Sequence, residues 1–178
     1  MRHIAPVAAL FSAVVLSACT GRPSLDRPAL STRSLNLEEF FQGQVVAYGQ
    51  FQDRLGRVSR RFDVRMNGVW DGKVLTLTED FTYEDGSTER RVWMLRKTGP
   101  DTWEGTAPGV IGTATGQEKG DTFNWRYTID LPIGGGRTTR VGFDDWMWLL
   151  TDRRVLNRAW MQKYGVNVGE VTIFFEKR

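Results

Sequence analysis

Two carboxylates interrupt apolar faces of predicted strands, and they are the side chains best placed to do chemistry. The two rows are Leu75, Leu77, Glu79, Phe81, Tyr83 and Val141, Phe143, Asp145, Met147, Leu149. A charge on an apolar face is costly unless it is paired. Glu79 and Asp145 are therefore expected either to orient a ligand or move a proton, or to form structural ion pairs or exposed rim groups.

The sequence also suggests partners for Glu79. The pair Asp85-Gly86 predicts a two-residue hairpin turn. This register sets Glu79 opposite Val92, with Arg90 one diagonal step away. Arg90 or Lys163 is therefore the expected partner.

Asp145 is expected to join Asn157 and Lys163 in a polar cluster if the faces of neighbouring strands meet. In one interpretation, Lys163 or Arg158 binds a lipid headgroup or a fatty-acid carboxylate, and apolar residues hold the tail. In the other, the cluster is a satisfied polar network that fixes strand register. The predicted ligand-binding residues are Glu79, Phe81, Trp125, Tyr127, Asp145, Met147, Asn157, Arg158 and Lys163.

Composition excludes several kinds of catalysis. The single histidine and the single cysteine, His3 and Cys19, both fall near the N-terminus. Nucleophilic triads with a histidine base, and most zinc and haem sites, are therefore not expected in the domain that follows. Adjacent acids such as Asp144 and Asp145 point to opposite faces of a strand and cannot act as a pair. No catalytic residue, metal ligand or cofactor is predicted, although carboxylate chemistry stays open.

Residues 1–18 have the pattern of a secretory signal peptide, with an apolar stretch followed by small residues. The stretch is about 12 residues long, short of the ~20 that a spanning helix needs. The run Leu16-Ser17-Ala18-Cys19 resembles the lipobox of bacterial lipoproteins, which implies that Cys19 carries a lipid anchor. By the same resemblance, Thr20 in place of Asp favours the outer membrane, with the domain facing the periplasm.

Residues 19–35 are expected to form the lipid anchor and a flexible tether, and residues 36–178 the folded domain. The whole chain has a net charge of +3, which permits attraction to an anionic membrane surface. Its basic residues are scattered among acidic ones, and no nucleic-acid partner is predicted.

Two-residue alternation from Gly43 onward is typical of strands. A short helical turn is predicted over Leu35–Gln42, with Asn36 as its N-cap. Five glycines are expected to mark bulges and corners: Gly105, Gly109, Gly112, Gly116 and Gly120. About nine or ten strands with short turns predict an all-β, antiparallel, up-and-down lipocalin-like barrel, closed or half-open. A two-sheet β-sandwich is the alternative.

Trp146 and Trp148 alternate with Asp145 and therefore point to the opposite face of their strand. If that face is outward, the pair is suited to contact a membrane or an envelope protein partner. Otherwise, the two rings pack under the N-terminal turn that contains Phe40 and Phe41.

A set of short motifs spread over roughly 35–177 resembles a family of bacterial lipoproteins of unknown function. The motifs are Glu79-Asp80-Phe81, Asp85-Gly86, Arg91-Val92-Trp93, Trp125-Arg126-Tyr127, Phe143-Asp144-Asp145-Trp146-Met147, Asp152, Asn157-Arg158, Met161, Lys163-Tyr164-Gly165 and Gly169-Glu170-Val171-Thr172. The resemblance implies a lipocalin-type barrel. It also implies association with enzymes that modify fatty-acyl chains, such as cyclopropane-fatty-acid-type methyltransferases.

Three functions follow as hypotheses. The first is a membrane-anchored lipoprotein that binds or presents a fatty acid or phospholipid without catalysis. The second is an enzyme or accessory subunit in membrane fatty-acid modification that uses Glu79 or Asp145. The third is an envelope assembly protein that docks a partner around Trp146 and Trp148, with a filled barrel.

Overall fold

In the part of the chain that the structure describes, ten antiparallel strands close into one barrel, in which β1 pairs with β10. The computed structural model describes residues 21–27, 31–132 and 136–178. The elements are α1 (Leu37–Phe41), β1 (Gly43–Asp53), β2 (Val58–Trp70), β3 (Val74–Tyr83), β4 (Thr88–Lys97), β5 (Thr102–Thr106), β6 (Val110–Lys119), β7 (Thr122–Pro132), β8 (Thr138–Thr151), β9 (Arg154–Lys163) and β10 (Val166–Lys177). The predicted all-β lipocalin-like barrel is confirmed, and the two-sheet sandwich is wrong.

The apolar rows recognised in the sequence face the interior of the barrel. On β2, Phe62, Val64 and Met66 are buried, and the polar residues between them are exposed. The rows that contain Glu79 and Asp145 also face inward, and both carboxylates are buried. Strand alternation therefore brings both acids into the barrel interior.

Helix α1 closes one end of the barrel, here called the closed end. Its Leu37 and Phe41 are buried, and the Phe41 ring packs edge-to-face on Phe175 of β10 at 5.6 Å. Lys177 Nζ donates to the carbonyl oxygens of Glu39, Phe40 and Gln42 at 2.6–2.9 Å. Apolar packing and backbone hydrogen bonds together hold the helix in the barrel end.

Asn36 occupies the N-cap position of α1, as predicted, but its side chain does not bind the free amides of the first turn. The Asn36 side chain donates to Glu39 Oε2 at 3.1 Å and makes no cap hydrogen bond. The Leu37 amide instead donates to Glu118 Oε1 of β6 at 2.7 Å. A carboxylate from the barrel wall therefore binds the free amide at the start of the helix.

The opposite end, here called the open end, carries the turns after β1, β3, β5, β7 and β9. Leu131 and Phe143 line the interior near this end and are only half-buried. The barrel is thus covered by α1 at one end and accessible at the other.

The β3–β4 hairpin has a three-residue loop rather than the predicted two-residue turn. The Tyr83 amide donates to Ser87 O at 2.9 Å, and Gly86 has φ +78°. This arrangement, in which a left-handed glycine ends a three-residue loop, is a common hairpin connection. It shifts the register by one residue, so that Glu79 lies opposite Arg91 and not Val92.

Glycines of β5 and β6 make room for aromatic side chains inside the barrel. A Cβ atom at Gly116 would lie 2.4 Å from the Trp125 ring, and one at Gly105 would lie 3.0 Å from it. Gly112, with φ +70°, lies where the β6–β7 register shifts. The predicted bulge is therefore present at Gly112, whereas Gly105 and Gly116 permit close approach of Trp125.

Part of the predicted tether packs on the outer wall of the barrel. Residues 23–26 line a crevice together with Trp146, which is 2% exposed. Trp146 therefore lies under the N-terminal segment and not under Phe40 and Phe41. Leu35, at the expected end of the tether, is 1% exposed.

The predicted signal peptide, residues 1–18, and the predicted anchor at Cys19 lie outside the described residues. Among the described residues, no helix has the length and apolar character needed to cross a membrane.

Candidate functional site

The barrel encloses a cavity of about 120 Å³ that is lined mainly by aromatic and aliphatic side chains. Phe41 and Leu37 border it at the closed end, and Phe143 and Leu131 border it toward the open end. Seven of the predicted ligand-binding residues are among the described residues that line it: Glu79, Phe81, Trp125, Tyr127, Asp145, Met147 and Asn157.

Two predicted residues, Arg158 and Lys163, do not line the cavity. Arg158 points outward on β9 and binds Glu170 Oε2 through Nη2 at 2.7 Å. Lys163 shares the inward row but lies at the open end, where Nζ donates to Thr139 Oγ1 at 2.7 Å. Neither cation is placed to bind a carboxylate in the cavity.

The partner of Glu79 is Arg91, the residue directly opposite it on β4. Arg91 Nη1 lies 3.9 Å from Glu79 Oε2, which is an ionic contact but too long for a hydrogen bond. The earlier candidate Arg90 points outward and makes a two-bond pair with Asp80, at 2.6 and 3.0 Å. The shifted hairpin register decides which arginine enters the barrel.

Arg91 also binds Glu89, and this contact extends the polar group toward the open end. Arg91 Nη2 donates to Glu89 Oε1 at 2.9 Å, and Tyr83 Oη donates to Glu89 Oε2 at 2.9 Å. Glu89 and Arg91 were missed as site residues, although both lie on the same face of β4 as the inward-facing Trp93. That shared face was the signal that could have identified them.

Asp145 and Asn157 form the predicted polar pair, without Lys163. Asn157 Nδ2 donates to Asp145 Oδ1 and, at 3.0 Å, to the carbonyl oxygen of Trp146. Both side chains are buried. The amide thereby fixes the orientation of the carboxyl group on the neighbouring strand.

Two oxygen atoms at the cavity are buried without a hydrogen-bond partner among the described residues: Glu79 Oε2 and Asn157 Oδ1. A buried polar atom without a partner is costly, and proteins usually satisfy such atoms with water or a ligand. Both atoms can accept a hydrogen bond. The cavity therefore offers two acceptor positions within apolar walls.

Burial raises the pKa of Glu79 to about 7, and the charge of Arg91 opposes this rise only in part. Burial likewise raises the pKa of Asp145 to about 7, against the opposing hydrogen bond from Asn157. Burial also raises the pKa of the Tyr127 hydroxyl, so it stays protonated at neutral pH. Glu79 and Asp145 are thus poised to gain or lose a proton near neutrality.

No cluster suited to a metal ion occurs among the described residues: none brings together three or more His, Cys, Asp or Glu side chains. No metal ligand is predicted from the sequence, and the described lining of the cavity includes two carboxyl groups, those of Glu79 and Asp145. What the arrangement can do is accept hydrogen bonds, exchange a proton and bury an apolar group.

The fold and the cavity define a lipocalin-like barrel with a polar group inside an aromatic wall. The chain belongs to the DUF3833 family, described as a protein of unknown function, and the match spans residues 13–177. No curated protein matches its sequence.

Solved structures share the fold at low sequence identity. An S-type phycobiliprotein lyase from Guillardia theta is 8% identical, with a TM-score of 0.55 over 81% of this chain and 94% of that one. Rv2717c from M. tuberculosis is 15% identical, with a TM-score of 0.58 over 78% of this chain and 92% of that one. At these identities the likeness extends to the fold alone.

The observed β3–β4 register places Arg91 inside the barrel and Arg90 outside it, and substitutions at these two positions test that assignment. Arg91→Gln should lower the free energy of unfolding by about 2 kcal/mol at neutral pH, because it removes the hydrogen bond to the Glu89 carboxylate and the cation beside buried Glu79. Arg90→Gln is the matched control and should change stability little, since its ion pair is exposed. Urea unfolding of both variants measures this. Equal losses would contradict the assignment of Arg91 to the interior.

The raised pKa values predict a particular pH dependence of stability. Between about pH 4 and 7 the folded protein holds protons on Glu79 and Asp145 that the unfolded chain has released. Stability should therefore fall as the pH rises through this window. The double variant Glu79→Gln with Asp145→Asn should show a flatter profile of melting temperature against pH.

Asp80 provides the control for that profile. The Arg90 hydrogen bonds lower the pKa of Asp80, so this group titrates below the window. Asp80→Asn should leave the slope between pH 4 and 7 unchanged. Equal slopes in the wild type and in the double variant would show that the two buried acids ionise as freely as in the unfolded chain.

Proposed function

We propose that this protein is a membrane-anchored lipoprotein whose barrel binds a fatty-acyl or lipid ligand without catalysis, and that Cys19 carries its anchor. The observation that carries the binding proposal is the cavity, with its aromatic walls and the unpartnered acceptors Glu79 Oε2 and Asn157 Oδ1. Apolar walls with a few convergent polar atoms are typical of ligand sites.

The cavity volume limits how much of a ligand enters. A cavity of about 150 Å³ holds a molecule the size of benzene, and this one has about 120 Å³. The proposed ligand therefore places one end of a chain, or a group of ring size, in the interior. The rest of the ligand extends out of the barrel through the open end, past Leu131 and Phe143.

The polar atoms favour a ligand that donates a hydrogen bond. The unpartnered atoms of Glu79 and Asn157 are acceptors, and Arg91, the one cation among the described lining residues, already contacts Glu79 and Glu89. A free carboxylate would meet two acidic groups, Glu79 and Asp145. A hydroxyl, an amide or a protonated acid fits better than the ionised fatty acid that Arg158 and Lys163 were expected to bind.

The binding proposal is tested on the chain from Gly21 onward, secreted into a bacterial periplasm and analysed by native mass spectrometry with solvent extraction. We expect a defined added mass that is released as a lipid. Alcohol, acid and alkane of one chain length are then added to delipidated protein, and uptake should be strongest for the alcohol. A clean protein mass with no uptake of any of the three would overturn the proposal.

Two neighbouring residues on β9 give a blocking variant and its control. Ala159 lines the cavity and pairs with Asp145, so Ala159→Leu should fill the space and abolish uptake. Arg158→Gln alters the outer wall and should retain uptake. Thermal melts of both proteins establish that each one is folded. Retained uptake by a folded Ala159→Leu protein would place the ligand elsewhere.

Catalysis in fatty-acid modification is the second candidate, and the pKa values near 7 of Glu79 and Asp145 favour it. A solved neighbour with this fold is named a lyase, so the fold is compatible with an enzyme. Under this alternative, Glu79→Gln or Asp145→Asn abolishes formation of a modified fatty acid in cells while the protein still folds and binds lipid. An unchanged fatty-acid profile in both variants would count against it.

Docking of an envelope partner through Trp146 and Trp148 has less support. Trp146 is 2% exposed and lies under the N-terminal segment, and the barrel contains a cavity. Trp146 is therefore not accessible to a partner in this arrangement.

A further inference from the structure

Exposed apolar residues concentrate at the open end of the barrel. Of the ten large apolar side chains that are most exposed among the described residues, six lie in or beside open-end turns: Leu55, Val58, Ile111, Tyr164, Val166 and Val168. Most come from two adjacent hairpins, since β1 pairs with both β2 and β10. Such a concentration indicates a surface that is covered in use.

Tyr164 forms the tip of one of these hairpins. It is 94% exposed and has φ +52°, a left-handed conformation that is uncommon for residues other than glycine. The backbone thus holds an aromatic ring away from the barrel at some conformational cost. Tyrosine is enriched where proteins meet the membrane–water interface.

Cations without an acidic partner surround the same end. Arg54, Arg137 and Lys163 have no carboxylate within 4.0 Å among the described residues, whereas Asp53 and Asp85 at this end are each bound by an arginine. The closed-end turns contain four aspartates, Asp71, Asp101, Asp121 and Asp152, against two cations, Lys73 and Arg153. The two ends therefore differ in charge, and the open end complements an anionic surface.

The N-terminal segment also leads toward the open end. At the closed end, the Leu35 amide donates to Gly120 O at 2.8 Å, and Asp26 lies 4.0 Å from Lys119. Closer to the N-terminus, the Arg22 guanidinium lies 4.5 Å from the centre of the Trp160 ring, and Trp160 is on the open-end half of β9. Cys19 is two residues before Gly21, and two residues span at most about 7 Å.

From these observations, we infer that the open end of the barrel lies against an anionic lipid bilayer, with Leu55, Tyr164, Val166 and Val168 in contact with lipid and Arg54, Arg137 and Lys163 facing lipid phosphates. The cavity then opens directly to the membrane. The inference goes beyond the proposed ligand binding, and its anchor argument rests on the proposed lipidation of Cys19.

Site-directed fluorescence in the full-length protein tests this orientation. Leu55→Cys or Tyr164→Cys at the open end, and Val69→Cys or Leu150→Cys near the closed end, each receive an environment-sensitive thiol dye. The controls Val69 and Leu150 are also exposed and apolar. The protein, made in bacterial membranes and purified in detergent, is reconstituted into vesicles of phosphatidylcholine and phosphatidylglycerol that contain brominated acyl chains.

We expect bromine to quench the dye several-fold more strongly at positions 55 and 164 than at positions 69 and 150. Arg54→Gln with Lys163→Gln should reduce the quenching at position 164, as should high salt. Equal quenching at both ends, or stronger quenching at the closed end, would overturn the inference.

The same samples separate failure of the membrane contact from failure of the proposed anchor. An acylated Cys19 does not react with the dye, so labelling of a protein without an added cysteine shows that lipidation is absent. Protein that floats with vesicles but shows no quenching at position 164 is anchored to the membrane without contact between its open end and the lipid. This result would refute the inference and leave the proposed anchor in place. Uptake of added lipid, measured separately, decides ligand binding.

Discussion

The pairing of β1 with β10 is the constraint on which the rest of this structure depends. It removes the edges of the sheet, so every second side chain of each strand faces a closed space. Ten inward rows give an interior wide enough to leave a cavity between aromatic rings. Because α1 covers one end, the cavity is accessible from the other. Closure therefore determines both where a bound ligand could lie and from which side it could enter.

The interior is hydrophobic, yet it contains two carboxyl groups, Glu79 and Asp145, and one arginine, Arg91, beside Glu79. A carboxyl group is tolerated in a low-dielectric interior only when its charge is paired or when the group is protonated. Arg91 is shared by Glu79 and Glu89, and Asn157 holds Asp145. Acceptors without a partner among the described residues are the basis of the proposed preference for ligands with a donor group. The same cost of burial that raises the two pKa values thus underlies the proposed specificity.

The ends of the barrel differ in a way that complements this interior. Exposed apolar side chains lie around the open end, together with cations that have no acidic partner among the described residues, and aspartates outnumber cations in the turns at the closed end. The N-terminal segment follows the outer wall past Trp146 toward the open half of the barrel. The proposed ligand entrance, the proposed membrane contact and the proposed anchor are therefore all on the open-end side of the molecule.

The sequence alone determined the strand alternation, the antiparallel barrel and the position of Glu79 and Asp145 within apolar rows, because side-chain direction in a strand follows residue parity. Only the tertiary structure decided that Arg91, and not Arg90, enters the interior, since the loop contains Glu84 in addition to Asp85 and Gly86 and so shifts the β3–β4 pairing by one residue. Residue parity with Asn157 already implied that Arg158 points outward, whereas only the tertiary structure decided that Trp146 lies under residues 23–26. Such contacts join segments far apart in the chain, and local pattern carries no information about them.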